Sequence, residues 1–161
     1  MKTHLKLICA LSVLVLSFAG ARPALATWRG YNGDACQQNA DGGFNYTGDG
    51  AIAGLLSDGS NALCPLMVIS SAGSTSAFTV NAYVLDQNGS NNVGCYITSR
   101  YYSDTDGTYY TTATQSSSGN SSTAKTLAFS VSSTGSFYLA TLYCNIFSNT
   151  RLLNYWVDEA G

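Results

Sequence analysis

Beyond residue 26, apolar and polar residues alternate with a period of two, and the 3.6-residue period of an amphipathic helix is nearly absent. Phe78, Val80, Ala82 and Val84 fall on one face of a strand, with Thr79, Asn81, Tyr83 and Leu85 on the other. Leu127, Phe129 and Val131 share a face within 124–131. Val93, Cys95 and Ile97 do so within 93–102, and Leu142, Cys144 and Ile146 within 136–147, whose length marks a central strand. Residues 62–70 form a continuous apolar run, expected to be buried on both faces, with Pro65 placing it near an edge or bulge. Shorter strands are expected at 51–56, 108–115 and 152–157. The Asp104-Thr105-Asp106-Gly107 turn joins 93–102 to 108–115 as a hairpin. Residues 28–49, rich in Gly, Asn and Asp, read as a loop held down by Cys36. About eight short strands punctuated by turns predict an all-β fold, a single antiparallel β-sandwich of jelly-roll or Greek-key type.

The first 26 residues follow a different pattern. Lys2 and Lys6 precede an apolar run over 7–18, and Ala24-Leu25-Ala26 is a small-x-small cleavage site. The expected division is a signal peptide at 1–26 and one domain at 27–161, in a secreted or extracellular protein, periplasmic or cell-surface. The apolar run falls short of the roughly 20 residues that span a bilayer. Lys2, Lys6 and Arg22 lie in the leader. Arg29, Arg100, Lys125 and Arg151 therefore stand against nine carboxylates in the domain, a formal charge of −5. So few cations leave no footprint for a phosphate backbone or an anionic membrane, so neither nucleic acid nor membrane is expected as a partner. Oligomeric state is left open.

Cys36, Cys64, Cys95 and Cys144 form an even set in an oxidising compartment, which reads as two disulfides. Three connectivities exist. The matching strand contexts of Cys95 and Cys144, both facing apolar neighbours, select that pair, and Cys36–Cys64 follows by elimination. The Cys64-Pro65-Leu66 strand, Val84-Leu85-Asp86 followed by Cys95, and the Tyr143-Cys144-Asn145-Ile146 and Asn154-Tyr155 to Glu159 stretches together resemble small secreted bacterial proteins with two disulfides. The resemblance spans most of the domain. It implies a β-sandwich and carries over no activity or site residue.

Histidine chemistry is excluded from the domain, since the single histidine is His4. No catalytic residue is assigned. A glycosidase needs two facing carboxylates, and the adjacent Asp158 and Glu159 point to opposite faces of a strand. Calcium is the one cofactor the aspartates suggest: Asp104 and Asp106 have a D-x-D spacing, and Asp34, Asp41 and Asp49 lie in a Gly-rich stretch. Tyr101, Tyr102, Tyr109 and Tyr110 flank the hairpin turn, and rings beside Asp104 and Asp106 suit glycan binding. Trp156 is read as core. The expected function is an extracellular, non-enzymatic binding or structural module for a glycan or surface. The alternatives are a carbohydrate-active enzyme using aspartates and a surface fibre or coat subunit assembling by strand addition.

Overall fold

The computed structural model describes residues 27–39, 43–66, 77–101, 109–131 and 137–159. Its strands are β1 (Thr27–Asn32), β2 (Gln37–Gln38), β3 (Phe44–Tyr46), β4 (Ile52–Gly54), β5 (Ser60–Leu66) and β6 (Phe78–Asp86). They continue as β7 (Gly94–Tyr101), β8 (Tyr109–Thr111), β9 (Gln115–Ser116), β10 (Lys125–Val131), β11 (Phe137–Ile146) and β12 (Thr150–Glu159). One 3-10 turn, Gly33–Ala35, follows β1. All ladders between strands are antiparallel.

The strands form two six-stranded sheets. Sheet A runs β10-β6-β12-β4-β3, with β1 pairing the remaining length of β12. Sheet B runs β2-β5-β11-β7-β8, with β9 also on β7. The ten-residue strands β11 and β12 are central because each has a partner on both sides over most of its length. Between the sheets lies one apolar core, filled by alternate residues of both inner faces as sandwich packing requires. Val80, Val84, Ile97, Leu142, Leu152 and Val157 are fully buried there. Tyr155 is also fully buried, and its hydroxyl donates to the Pro65 carbonyl at 2.9 Å, linking sheet A to sheet B.

The disulfides are Cys36–Cys64 and Cys95–Cys144, with sequence separations of 28 and 49. Cys95 and Cys144 are directly opposite on β7 and β11, and both are buried.

The architecture is the expected antiparallel sandwich, with twelve strands among the described residues rather than about eight. The stretch read as loop, 28–49, contains most of β1 together with β2 and β3; Gly30 and polar residues hide β1, whose pairing with distant β12 supplies its order. Of the run at 62–70, residues 62–66 lie in β5, which buries alternate residues instead of both faces, and 67–70 lie outside the described residues. Pro65 lies beyond β2, which pairs only with Leu63 and Ala62, so its missing N–H faces an open edge. The strand expected at 108–115 is split into β8 and β9, with Thr112 Oγ1 accepting the Ile97 N–H at 2.9 Å. Residues 1–26 lie outside the described residues. Among those described, no helix is long and apolar enough to cross a membrane.

Candidate ligand-binding face

One bulge decides which side chains sheet A shows to solvent. Leu152 pairs with Val84 and Asn154 with Tyr83, so Leu153 is an extra residue in β12. Strict alternation from buried Leu152 would turn Asn154 and Trp156 inward. The bulge resets the parity: Tyr155 and Val157 enter the core, and Asn154 and Trp156 face out. Trp156, read as core, is therefore half-buried on the outer face.

Trp156 is held there on two sides. Its Nε1–H donates to Asn154 Oδ1 at 3.1 Å. Across β1 it faces Gly30, where an added Cβ would lie 3.2 Å from indole Cε3 and Cζ3 and 3.3 Å from Cδ2. Near-equal distances to three ring atoms place the indole flat above the Gly30 backbone, a position a side chain there would contest. Gly30→Val is thus expected to lift the ring and break its bond to Asn154 while the β1–β12 ladder persists. The check is the Trp156 indole N–H cross-peak in a nitrogen-edited NMR spectrum; an unshifted peak would refute the arrangement.

Around this ring the face is amide-rich. Asn81 is opposite Trp156 on β6, and Tyr83 is opposite Asn154. Asn32 is opposite Asn154 on β1. Tyr83 stands diagonal to Trp156, about 7–8 Å away by strand geometry. Gly50, at φ 80°, closes the loop beside Asn32; a Cβ there would come within 3.0 Å of the Asn32 amide nitrogen.

Arg151 marks one end of the face. Its Nη2 reaches both Asp49 oxygens at 2.7 and 2.5 Å and Thr47 Oγ1 at 3.1 Å. Thr47 Oγ1 also bonds Asp49 Oδ1 at 2.5 Å. These contacts, the Thr47 hydroxyl first and the guanidinium second, hold the Asp49 carboxyl down at about 2. Arg151 is therefore neutralised by its partner. Asp158 lies at the far end, six strand steps or roughly 20 Å away.

The outer face of sheet B differs. Tyr96 and Tyr143 are opposite each other and stack at 5.1 Å with planes 4° apart, so each covers a face of the other.

The hairpin residues are partly visible. Tyr110 is half-buried and packs against the core, opposite buried Ser99. The strand ends at Tyr101 and Tyr109 are placed in backbone only, while Tyr102, Asp104 and Asp106 lie outside the described residues. Asp49 is engaged by Arg151, and Asp41 lies outside the described residues. Among the described residues no group of three His, Cys, Asp or Glu side chains could hold a metal ion.

No family model and no curated protein matches the sequence. Solved structures do. The chain is similar to the C-terminal CBM6 of LamC, a marine laminarinase from Zobellia galactanivorans. There the TM-score is 0.52 at 13% identity, over 82% of this chain and 99% of that one. It is also similar to the CBM22-1–GH10 modules of xylanase 10B from Clostridium thermocellum, solved with xylohexaose. That match has a TM-score of 0.54 at 9% identity, over 81% of this chain and 27% of the two-module chain. At these identities the likeness is one of fold: this chain has the sandwich of a carbohydrate-binding module.

Proposed function

We propose that this protein is an extracellular carbohydrate-binding module that takes a neutral glycan chain on the outer face of sheet A. The carrying observation is the Trp156 indole lying flat over Gly30 with its N–H tied to Asn154. A flat ring offers apolar area to the C–H face of a pyranose at little entropic cost, because both its torsions are already restrained. The amides of Asn32, Asn81 and Asn154 supply paired donors and acceptors for hydroxyls. The fold likeness to carbohydrate-binding modules supports the same reading.

Neutral substrate follows from charge. The cation of the face is paired with Asp49, and the domain is acidic, so a uronate or sulfated chain meets no free positive group on the described face. Binding rather than cleavage follows from spacing. Asp158 stands roughly 20 Å along β12 from Arg151, the residue that holds Asp49, whereas glycosidase carboxylates flank a bond at approximately 5–10 Å. A carboxyl held at about 2 is also a poor general acid.

The test is affinity electrophoresis and calorimetry of the purified protein against β-glucan, xylan, mannan and a sulfated polysaccharide. Retardation by at least one neutral polymer is expected; binding confined to the sulfated polymer, or to none, would overturn the reading. The pH profile adds a check. A carboxylate lowered on folding contributes stability that is complete above its ordinary value near 3.8 and is lost as pH falls through about 2. Binding and melting temperature are therefore expected to be flat from pH 5 to 8. A step near pH 6.5 would require a titrating group that the described face lacks.

A further inference from the structure

Four edges bound the two sheets, and they are not alike. In sheet B one edge is β2, two residues long, and the other is broken between β8 and β9. In sheet A one edge is shared by three-residue β3 and by β1, which carries Arg29 and Gly30. The remaining edge is β10. It is seven residues long, runs in unbroken register along β6 from Lys125↔Val84 to Val131↔Phe78, and no described strand pairs with its other side. It contains no Pro, no Gly and no bulge, and its single charge, Lys125, stands at its first residue. Those are the devices by which natural sheets blunt an edge, and after Lys125 the strand has none of them. Leu127, Phe129 and Val131 face the core, and Thr126, Ala128 and Ser130 are exposed.

We propose that β10 is a self-association edge, pairing antiparallel with β10 of a second copy of this chain about a two-fold axis at Ala128. The sequence of β10 fits itself in that register. Ala128 meets its own counterpart on the axis, where small side chains leave room. Leu127 meets Phe129 on the core side, an apolar cross-strand pair, and Thr126 meets Ser130 on the outer side, hydroxyl to hydroxyl. Lys125 meets Val131, which keeps the two lysines about 20 Å apart, beyond the roughly 8 Å screening length. A register centred nearer Lys125 would bring the two cations together and shorten the ladder. Because the contact is two-fold and isologous it closes at two copies, giving a dimer with one continuous twelve-stranded sheet rather than a fibre. An edge contact buries less than a standard interface, so a dissociation constant on the order of 0.1 mM is expected.

Sedimentation of the purified protein from about 10 µM to about 1 mM tests this. The expected result is a monomer–dimer equilibrium that Ala128→Lys weakens at least tenfold, because it sets two ammonium groups face to face on the axis. Ala128→Cys should cross-link rapidly to a disulfide dimer under mild oxidation, since Cα atoms in directly opposed pairs are about 4.5–5.5 Å apart. Thr126→Cys should not, because its partner is Ser130. A monomer throughout the range overturns the proposal. So does a dimer indifferent to Ala128→Lys, or cross-linking of Thr126→Cys in preference to Ala128→Cys. Protection of β10 amides from hydrogen exchange only on addition of a foreign strand would assign the edge to a different chain and also overturn it.

Discussion

Trp156→Ala is expected to weaken glycan binding by about thirtyfold or more, roughly 2 kcal/mol, while the far-ultraviolet circular dichroism stays that of a β-protein. The magnitude follows from where the ring sits. Trp156 is half-buried and lies over β1, and under the proposed reading a bound sugar would bury more of the ring, which is the situation of an interface hot spot. The fold should survive because the side chain lies outside the core that Tyr155 and Val157 fill from the same strand. Tyr83→Ala, one diagonal step away, should cost less, since loss of the second ring leaves the first platform in place. Tyr143→Ala, on the opposite sheet, is the control and should leave affinity unchanged. Calorimetry with the polymer that retards the native protein decides. Full affinity in Trp156→Ala with loss in Tyr143→Ala would move the site to sheet B. Full affinity in both would reject both sheet faces and leave the Tyr101, Tyr102, Tyr109 and Tyr110 hairpin as the candidate surface.

Replacing Cys95 and Cys144 together by alanine is expected to be the most damaging change to stability, about 4 kcal/mol. The bond closes the longer of the two loops, with a sequence separation of 49 against 28 for Cys36–Cys64. In the chain-entropy account the longer loop restrains the unfolded chain more, and loss of two buried sulfurs from the core adds a packing cost. Since native domains hold only about 5–15 kcal/mol, this change should bring the protein close to its threshold. Urea titration should show a lower midpoint with a preserved cooperative transition. The Cys36–Cys64 double variant should lose somewhat less, near 3.5 kcal/mol. A larger loss in that second variant would mean that the N-terminal segment, not the β7–β11 pair, is where the fold is most dependent on covalent closure.

The sequence made the inner faces of β6, β7, β10 and β11 readable, because each keeps an unbroken period of two between turn residues. It also separated Asn81 and Tyr83 from the core side of β6. It did not reveal what those residues face. A bulge has no composition of its own, so nothing marks Leu153 as the residue that transfers Trp156 from core to surface. Nor does a glycine in a polar segment announce that an indole 126 positions later will lie over it. The tyrosine hairpin is legible because its residues are neighbours in sequence. The sheet A face is assembled from β1, β6 and β12, and its members meet only through long-range pairing. The Asp49–Arg151 pair is another case: two residues 102 apart, each ordinary in its own segment.

The pairing of β1 with β12 also has a mechanical side. Thr27 lies opposite Glu159, so the two strands leave the sheet at the same point. A load applied between those two residues would act across the ladder and open it one hydrogen-bonded pair at a time, the geometry of a zipper and not of a shear joint. The fourth pair to part is Gly30 with Trp156. A tug of that kind would remove the floor beneath the indole before reaching the disulfides, whose cysteines belong to the other sheet and the segment beside it. The proposed grip on a polysaccharide would then yield to tension while the body of the sandwich stayed whole.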